Sequence, residues 1–252
     1  MNLMIGGIKE ASTVDYPGEI VSVIFFCQCP FRCPFCHNWS LVLAQSEECH
    51  NASVKDIIEQ VSKFRKFITG LCITGGEPTV QIDGLIELLK ESQKIKLLNK
   101  LDTNGFFPDR LARLFTAGLV DYVALDIKAP FNPEIYGKMI GKPSIGEEAV
   151  KKVSDTLHLL KKFKMPFEAR TTIIPNFFNS EKEIEQIAQK LEEFDVPRYI
   201  LQQFRASGGT LDEAFAKLPA TNHEVLIKLA KSAQKYISDV RIRSIETGEK
   251  KI

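Results

Sequence analysis

Cys29, Cys33 and Cys36 lie within the run Cys-Pro-Phe-Arg-Cys-Pro-Phe-Cys-His-Asn, residues 29–38. Three thiolates at spacings of four and three residues allow one short loop to hold three irons of a four-iron cluster, leaving the fourth iron open to a substrate. An open iron implies chemistry, where four protein ligands would imply structure or electron transfer. With six cysteines in 252 residues, this spacing would arise by chance with a probability of about 0.003 if positions were independent. The competing reading is zinc, because Cys3His sets are ordinary structural zinc sites. His37 directly follows Cys36, and adjacent side chains seldom converge on one tetrahedral ion, so zinc would need Cys27, Cys49 or His50. None of these three sits in a second Cys-x-x-Cys or His-x-x-x-His pair.

Short apolar runs rich in β-branched and aromatic residues alternate with longer segments of helical period, which predicts repeated βα units. Strands are expected at Ile20–Phe26, Leu71–Thr74, Leu97–Asp102, Tyr122–Asp126, Phe167–Ile174, Tyr199–Phe204 and Val240–Ile245. Helices are expected at about 53–67, 81–95, 108–118, 145–163, 180–193 and 222–237. Ser53 with Asp56, and Ser180 with Glu183, read as helix starts, and Gly118 reads as a helix end. The fold class this predicts is α/β with a parallel sheet. A single domain spanning 1–252 is expected, with a core at about 18–205 and a C-terminal βα extension at about 206–252.

The 33 basic and 32 acidic residues nearly cancel, so neither a nucleic-acid nor a membrane surface is expected. Four cysteines crowd into residues 27–36, unlike the dispersed pairs of a disulfide framework. Reduced thiols and a cytoplasmic location are therefore expected. The first residues do not look like a signal peptide, and the apolar runs are too short for a membrane span.

The polar motifs recur at strand ends. The cysteine loop follows the first predicted strand, Gly75-Gly76-Glu77-Pro78 the second, Asp102-Thr103-Asn104-Gly105 the third and Asp126-Ile127-Lys128 the fourth. Arg170 lies within the fifth strand, and Gln202-Gln203-Phe204-Arg205 closes the sixth. In parallel βα folds the C-terminal strand ends share one face, which is where such folds place their active sites.

The cysteine loop with a downstream Gly-Gly-Glu-Pro resembles the radical S-adenosylmethionine (SAM) enzymes. The finer resemblance is to glycyl radical enzyme activases, above all the anaerobic ribonucleoside-triphosphate reductase activating type. It is carried by the leader Ser12-Thr13-Val14-Asp15-Tyr16-Pro17-Gly18 and by Cys36-His37-Asn38. The resemblance spans Gly7 to about Arg205 and departs in having Cys27-Gln28 before Cys29, where glycine is common.

The resemblance implies a (βα)6-type partial TIM barrel with a [4Fe-4S] cluster on Cys29, Cys33 and Cys36. The open iron would chelate the methionyl end of S-adenosylmethionine, whose reductive cleavage yields a 5′-deoxyadenosyl radical. It further implies a flavodoxin or ferredoxin-type electron donor and a glycyl radical enzyme partner, specifically anaerobic ribonucleotide reductase. Cofactor contacts are implied for Phe35, Cys36, His37, Gly75, Gly76, Glu77, Asp102, Asn104, Asp126, Lys128, Gln202 and Gln203. Gly75 and Gly76 would let the backbone approach the ligand. Glu77 would add an acceptor, and Asp102, Asn104, Asp126 and Lys128 would offer acceptors and donors for the ribose and the zwitterionic methionyl end, a carboxylate suiting a ribose hydroxyl and the lysine a carboxylate.

Each motif also has a plainer reading. Gly-Gly is often only a strand-to-helix turn, Asp-Thr-Asn-Gly only a turn, and Asp-x-Lys a surface ion pair. Cys72 reads as a buried small side chain. A radical enzyme acting on a small molecule or nucleobase, like deazapurine synthase, would carry the same cluster chemistry. A non-catalytic zinc module is the third alternative.

Overall fold

All seven expected strands form, because their β-branched and aromatic runs suit the covered faces of a parallel sheet. The computed structural model describes residues 1–43, 46–177, 180–206 and 208–252. Ser207, in the loop expected after the sixth strand, lies outside the described residues.

One compact unit comprises Met1–Pro30, Asn38–Thr103 and Phe107–Ala124. Its strands are β1 (Asn2–Ser12), β2 (Val21–Phe26), β3 (His50–Ser53), β4 (Gly70–Gly75) and β5 (Leu98–Thr103), in the order β3-β1-β2-β4-β5. The last three are parallel, with Val21 opposite Gly70, Phe26 opposite Gly75, and Cys72 opposite Lys100. Helices α1 (Val54–Ser62), α2 (Ile82–Lys94) and α3 (Pro108–Thr116) bury Ile57 and Val61, Leu85, Leu88 and Leu89, and Leu111 and Leu114. Ser53 caps α1 as expected, accepting from Asp56 N, and Gly118 follows α3 at φ +61°.

Strands β1 and β3 were not legible in the sequence. They are antiparallel, and β1 changes register at Gly7, so its apolar residues never alternate cleanly.

The Asp15-Tyr16-Pro17-Gly18 leader is a tight turn with an apolar anchor. Glu19 N donates to Tyr16 O at 3.1 Å, with Pro17 and Gly18 (φ +81°) at the central positions of a type II turn. The Tyr16 ring, only 7% exposed, packs with Val21, Val23 and Cys72, and its centroid lies 5.6 Å from that of Tyr122. Burial pushes the Tyr16 hydroxyl up to about 12, helped by the carboxylates of Asp121 and Glu19.

The other unit comprises Phe31–His37, Asn104–Phe106 and Leu125–Ile252. The end of β6 (Tyr122–Asp126) is followed by α4 (Pro133–Met139), α5 (Gly146–Phe163), β7 (Phe167–Ile173), α6 (Glu181–Glu192), β8 (Tyr199–Gln203), α7 (Glu213–Ala216), α8 (His223–Ala233), β9 (Val240–Ser244) and β10 (Gly248–Lys251). Strands β7, β8 and β9 are parallel, and β10 closes the edge antiparallel with four exposed residues, Gly-Glu-Lys-Lys. Charges of this kind protect an edge from unwanted pairing. Ser180 and Glu183 form the full capping box of α6. Helices α5, α6 and α8 bury Val153, Leu157 and Leu160, Ile184, Ile187 and Leu191, and Leu226 and Leu229. Among the described residues, no helix is long and apolar enough to cross a membrane.

Removing the Tyr16 ring leaves a void under the leader turn. Tyr16→Ala is expected to lower the unfolding free energy by about 3 kcal/mol, read by urea denaturation. An unchanged midpoint would contradict a packing role for the leader.

Candidate active site

Backbone pairing of β2 with β4 continues past both strands and fixes the entry to the cysteine loop. Gly76 N donates to Phe26 O at 2.7 Å, and Glu77 N donates to Gln28 O at 2.7 Å. This approach excludes side chains. A Cβ on Gly75 would lie 2.3 Å from Phe26 O, and one on Gly76 would lie 2.2 Å from Gln28 O. Gly75 also has φ +113°, which favours glycine. The glycine pair is therefore required by the chain's own close passage, a cause different from the ligand approach expected from sequence. On the other side, Gln28 N donates to Leu41 O at 2.7 Å and Cys29 N to Val42 O at 3.2 Å. The Asn38 side-chain amide donates to Gly75 O at 3.1 Å, so the chain leaving the cysteine loop is tied to the same strand end.

Glu77, expected as a ligand acceptor, has structural partners within the chain. Fully buried, it caps the turn after β4 by accepting from Thr79 N at 3.1 Å and from the Thr79 hydroxyl. The Thr103 hydroxyl donates to its two oxygens at 2.9 and 3.1 Å. The carboxylate thus fastens the end of β4 to the end of β5. Beside it, Asp102 accepts from Lys100 Nζ, and the Cys72 thiol lies 3.8 Å from the same Asp102 oxygen. Sequence reasoning passed over Lys100. A lysine in an alternating strand reads as solvated, and only its register opposite Cys72 shows that it is buried.

In the second unit, the segment Phe31–His37 is held at both ends. Arg32 N donates to Ile140 O at 2.8 Å, and Asp212 N donates to Pro34 O at 3.0 Å. Gly141, at φ +64°, leaves no room for a side chain, since a Cβ would sit 2.0 Å from Arg32 O. Cys33 and Phe35 are buried, Cys36 is half-buried and His37 is exposed. Asp126 and Lys128 form a 2.8 Å ion pair, partly exposed, as the plainer reading of Asp-x-Lys anticipated. Burial works to lower the Lys128 pKa, but the Asp126 carboxylate outweighs it and holds the ammonium above its ordinary value. Burial pushes the Cys33 thiol up to about 12 against the pull of Lys128. An uncoordinated Cys33 is thus a neutral thiol, and a metal must displace its proton.

Two of the expected contact residues also hold partners within the chain. Asn104 Oδ1 accepts from Phe106 N at 3.0 Å, a local turn bond. Gln203 donates to Thr221 O at 2.8 Å and to Glu246, and accepts from Ile245 N at 2.9 Å. Gln202 is half-buried on the opposite face of β8.

The expectation of uniformly reduced thiols needs a correction. Cys27 and Cys49 form a disulfide, while Cys29, Cys33, Cys36 and Cys72 are not in disulfides. The cause is β1, which pairs Ile5 with Phe26 on one side and with His50 on the other, so the residues next to those partners meet. Cys29, Cys33 and Cys36 all lie within the loop this bond closes. Among the described residues, no three His, Cys, Asp or Glu side chains are gathered as a metal cage. The donor set nevertheless fits an iron–sulfur cluster, because the three thiols at the cluster spacing stay outside the disulfide and the extra Cys27 is withdrawn from competition.

Comparison with known proteins decides the family. The profile of the radical SAM superfamily matches residues 23–191. A Methanocaldococcus jannaschii protein assigned as a glycyl-radical enzyme activating enzyme is 36% identical over 245 residues, covering 97% of this chain and 98% of that protein. The chain belongs to the radical SAM superfamily, within its glycyl-radical enzyme activating family. The pyruvate formate-lyase-activating enzyme of Listeria monocytogenes is 28% identical over 201 residues, 74% of this chain and 73% of that enzyme. The crystal structure of a radical SAM methyltransferase from Sphaerobacter thermophilus has a TM-score of 0.65 at 15% identity, covering 92% of this chain and 69% of that one. That likeness bears out the expected fold class, a parallel α/β architecture of the partial-barrel kind. Radical SAM enzymes use a [4Fe-4S] cluster and S-adenosylmethionine.

A methyl group at position 76 meets a backbone oxygen that cannot swing aside. Gly76→Ala is expected to lower the unfolding free energy by about 1–3 kcal/mol and to reduce the iron retained after anoxic reconstitution. Wild-type stability and iron content would contradict the role assigned to the close passage.

Proposed function

We propose that Cys29, Cys33 and Cys36 ligate the cluster of an activase that cleaves S-adenosylmethionine and places a radical on a glycine of a larger enzyme. The observation that carries this reading is the set of three thiols, spaced four and three residues apart, that stay outside the disulfide while Cys27 and Cys49 pair with each other. The same pairing removes two of the three residues that could complete a zinc site. When bound, the reduced cluster supplies the electron that breaks the sulfonium's carbon–sulfur bond.

The chain's own residues supply position and charge. The Lys128 ammonium, kept charged by Asp126, is the cation for the methionyl carboxylate. Asp102 accepts a ribose hydroxyl at the end of β5, and backbone groups of Gly75 and Gly76 meet the methionyl ammonium. The Phe35 backbone meets the adenine, with His37, Asn104 and Gln202 as further polar contacts. Glu77 acts indirectly, by joining β4 to β5 through Thr103.

For the partner we propose anaerobic ribonucleoside-triphosphate reductase, with a flavodoxin or ferredoxin-type donor in a cytoplasm. Support comes from the Cys36-His37-Asn38 ending and the Asp15-Tyr16-Pro17-Gly18 leader. The relatives' names extend to glycyl-radical enzyme activation and to pyruvate formate-lyase activation.

Cys33→Ala is expected to fold normally and to lose 5′-deoxyadenosine formation from S-adenosylmethionine. The wild-type protein, reduced anoxically, is expected to give a glycine-centred paramagnetic resonance signal on the reductase. Retained cleavage in the variant would overturn the ligand assignment, and a signal only on another glycyl radical enzyme would overturn the partner.

A further inference from the structure

Lys100 is a charged side chain with no access to solvent, 0% exposed, in the middle of a parallel sheet. A buried ammonium is costly unless paired and hydrogen-bonded. Among the described residues its side-chain partners are the Asp102 carboxylate and, at 3.7 Å, the Cys72 sulfur. Cys72 belongs to the apolar cluster of Tyr16, Val21 and Val23, so an aliphatic residue at position 100 would suit the packing better.

The pair is graded along the strand. Lys100 and Asp102 are two residues apart and share one face of β5, with the ammonium at the buried end and the carboxylate, 16% exposed, at the C-terminal end. Asp102 is followed by Thr103, which Glu77 anchors. One carboxylate oxygen is thus fixed from below, and the residue's backbone is fixed from beside.

We propose that Lys100 is a positioning residue: its buried ammonium holds the Asp102 carboxylate in one orientation, set to accept a hydroxyl of the S-adenosylmethionine ribose. This rests on the reading of Asp102 as the ribose acceptor. The buried charge is there to orient a binding group, since the same carboxylate without its ammonium would be free to rotate at the strand end.

Two measurements test it. Thermal unfolding of Lys100→Met, Asp102→Asn and the double variant forms a cycle. Asp102→Asn strands the ammonium, so it is expected to melt lowest, with the double variant melting above it. Additive shifts would overturn the coupling. Anoxic equilibrium dialysis of the cluster-loaded protein then compares S-adenosylmethionine with its 2′-deoxy and 3′-deoxy ribose analogues. Wild type is expected to prefer the ribose over one analogue by about tenfold or more, the factor a charge-assisted hydrogen bond supplies. Folded Lys100→Met is expected to lose that preference, and Lys100→Gln, which keeps a donor, to recover part of it. Preference kept in Lys100→Met but lost in Asp102→Asn overturns the positioning role alone. Preference kept in both overturns the ribose reading and the proposal with it.

Discussion

Two backbone hydrogen bonds just beyond the strands, Gly76 N to Phe26 O and Glu77 N to Gln28 O, hold the entry of the cysteine loop to its scaffold. They require glycine at positions 75 and 76, because a Cβ at either would penetrate the facing backbone. They also deliver Glu77 into the interior, where its carboxylate must be satisfied and finds Thr79 and Thr103. A glycine pair, a buried acid and Cys29 are therefore parts of one local construction. Its purpose is to hold Cys29 by backbone rather than by side chain.

The second unit treats its part of the cysteine loop in the same way. Gly141 admits the Arg32 carbonyl at a distance no side chain would allow, and backbone bonds from Arg32 to Ile140 and from Asp212 to Pro34 hold the loop by its main chain. Close beside them the Asp126–Lys128 pair keeps a cation in place. That charge favours thiolate over thiol, the direction a metal ligand needs, although burial alone drives Cys33 the other way.

How much of this was legible beforehand follows from the physics of each signal. Parallel strands such as β2 and β4 announce themselves as short β-branched runs, and the capping of α1 and α6 is written in Ser53 and Ser180. The cysteine spacing was legible because ligand geometry acts over a few residues. Antiparallel β1 was not, since its glycines and register breaks erase the alternation. Nor was the Cys27–Cys49 bond, which depends on β1 pairing with two strands at once. The tie from Glu77 to Thr103 was not legible either, because the two are 26 residues apart. Lys100 gave no signal, because burial on a central strand is set by its neighbours, Cys72 and Asp102.

The claim on which the account turns is that the cluster carried by Cys29, Cys33 and Cys36 keeps one iron for the methionyl end of S-adenosylmethionine. Electron–nuclear double resonance on the anoxically reduced protein, with the cofactor labelled by 17O in its carboxylate and 15N in its amine, tests this directly. Hyperfine coupling of both labels to the cluster is the predicted result. A paramagnetic cluster that shows coupling to neither label, or a protein that binds zinc and no acid-labile sulfide, would contradict it.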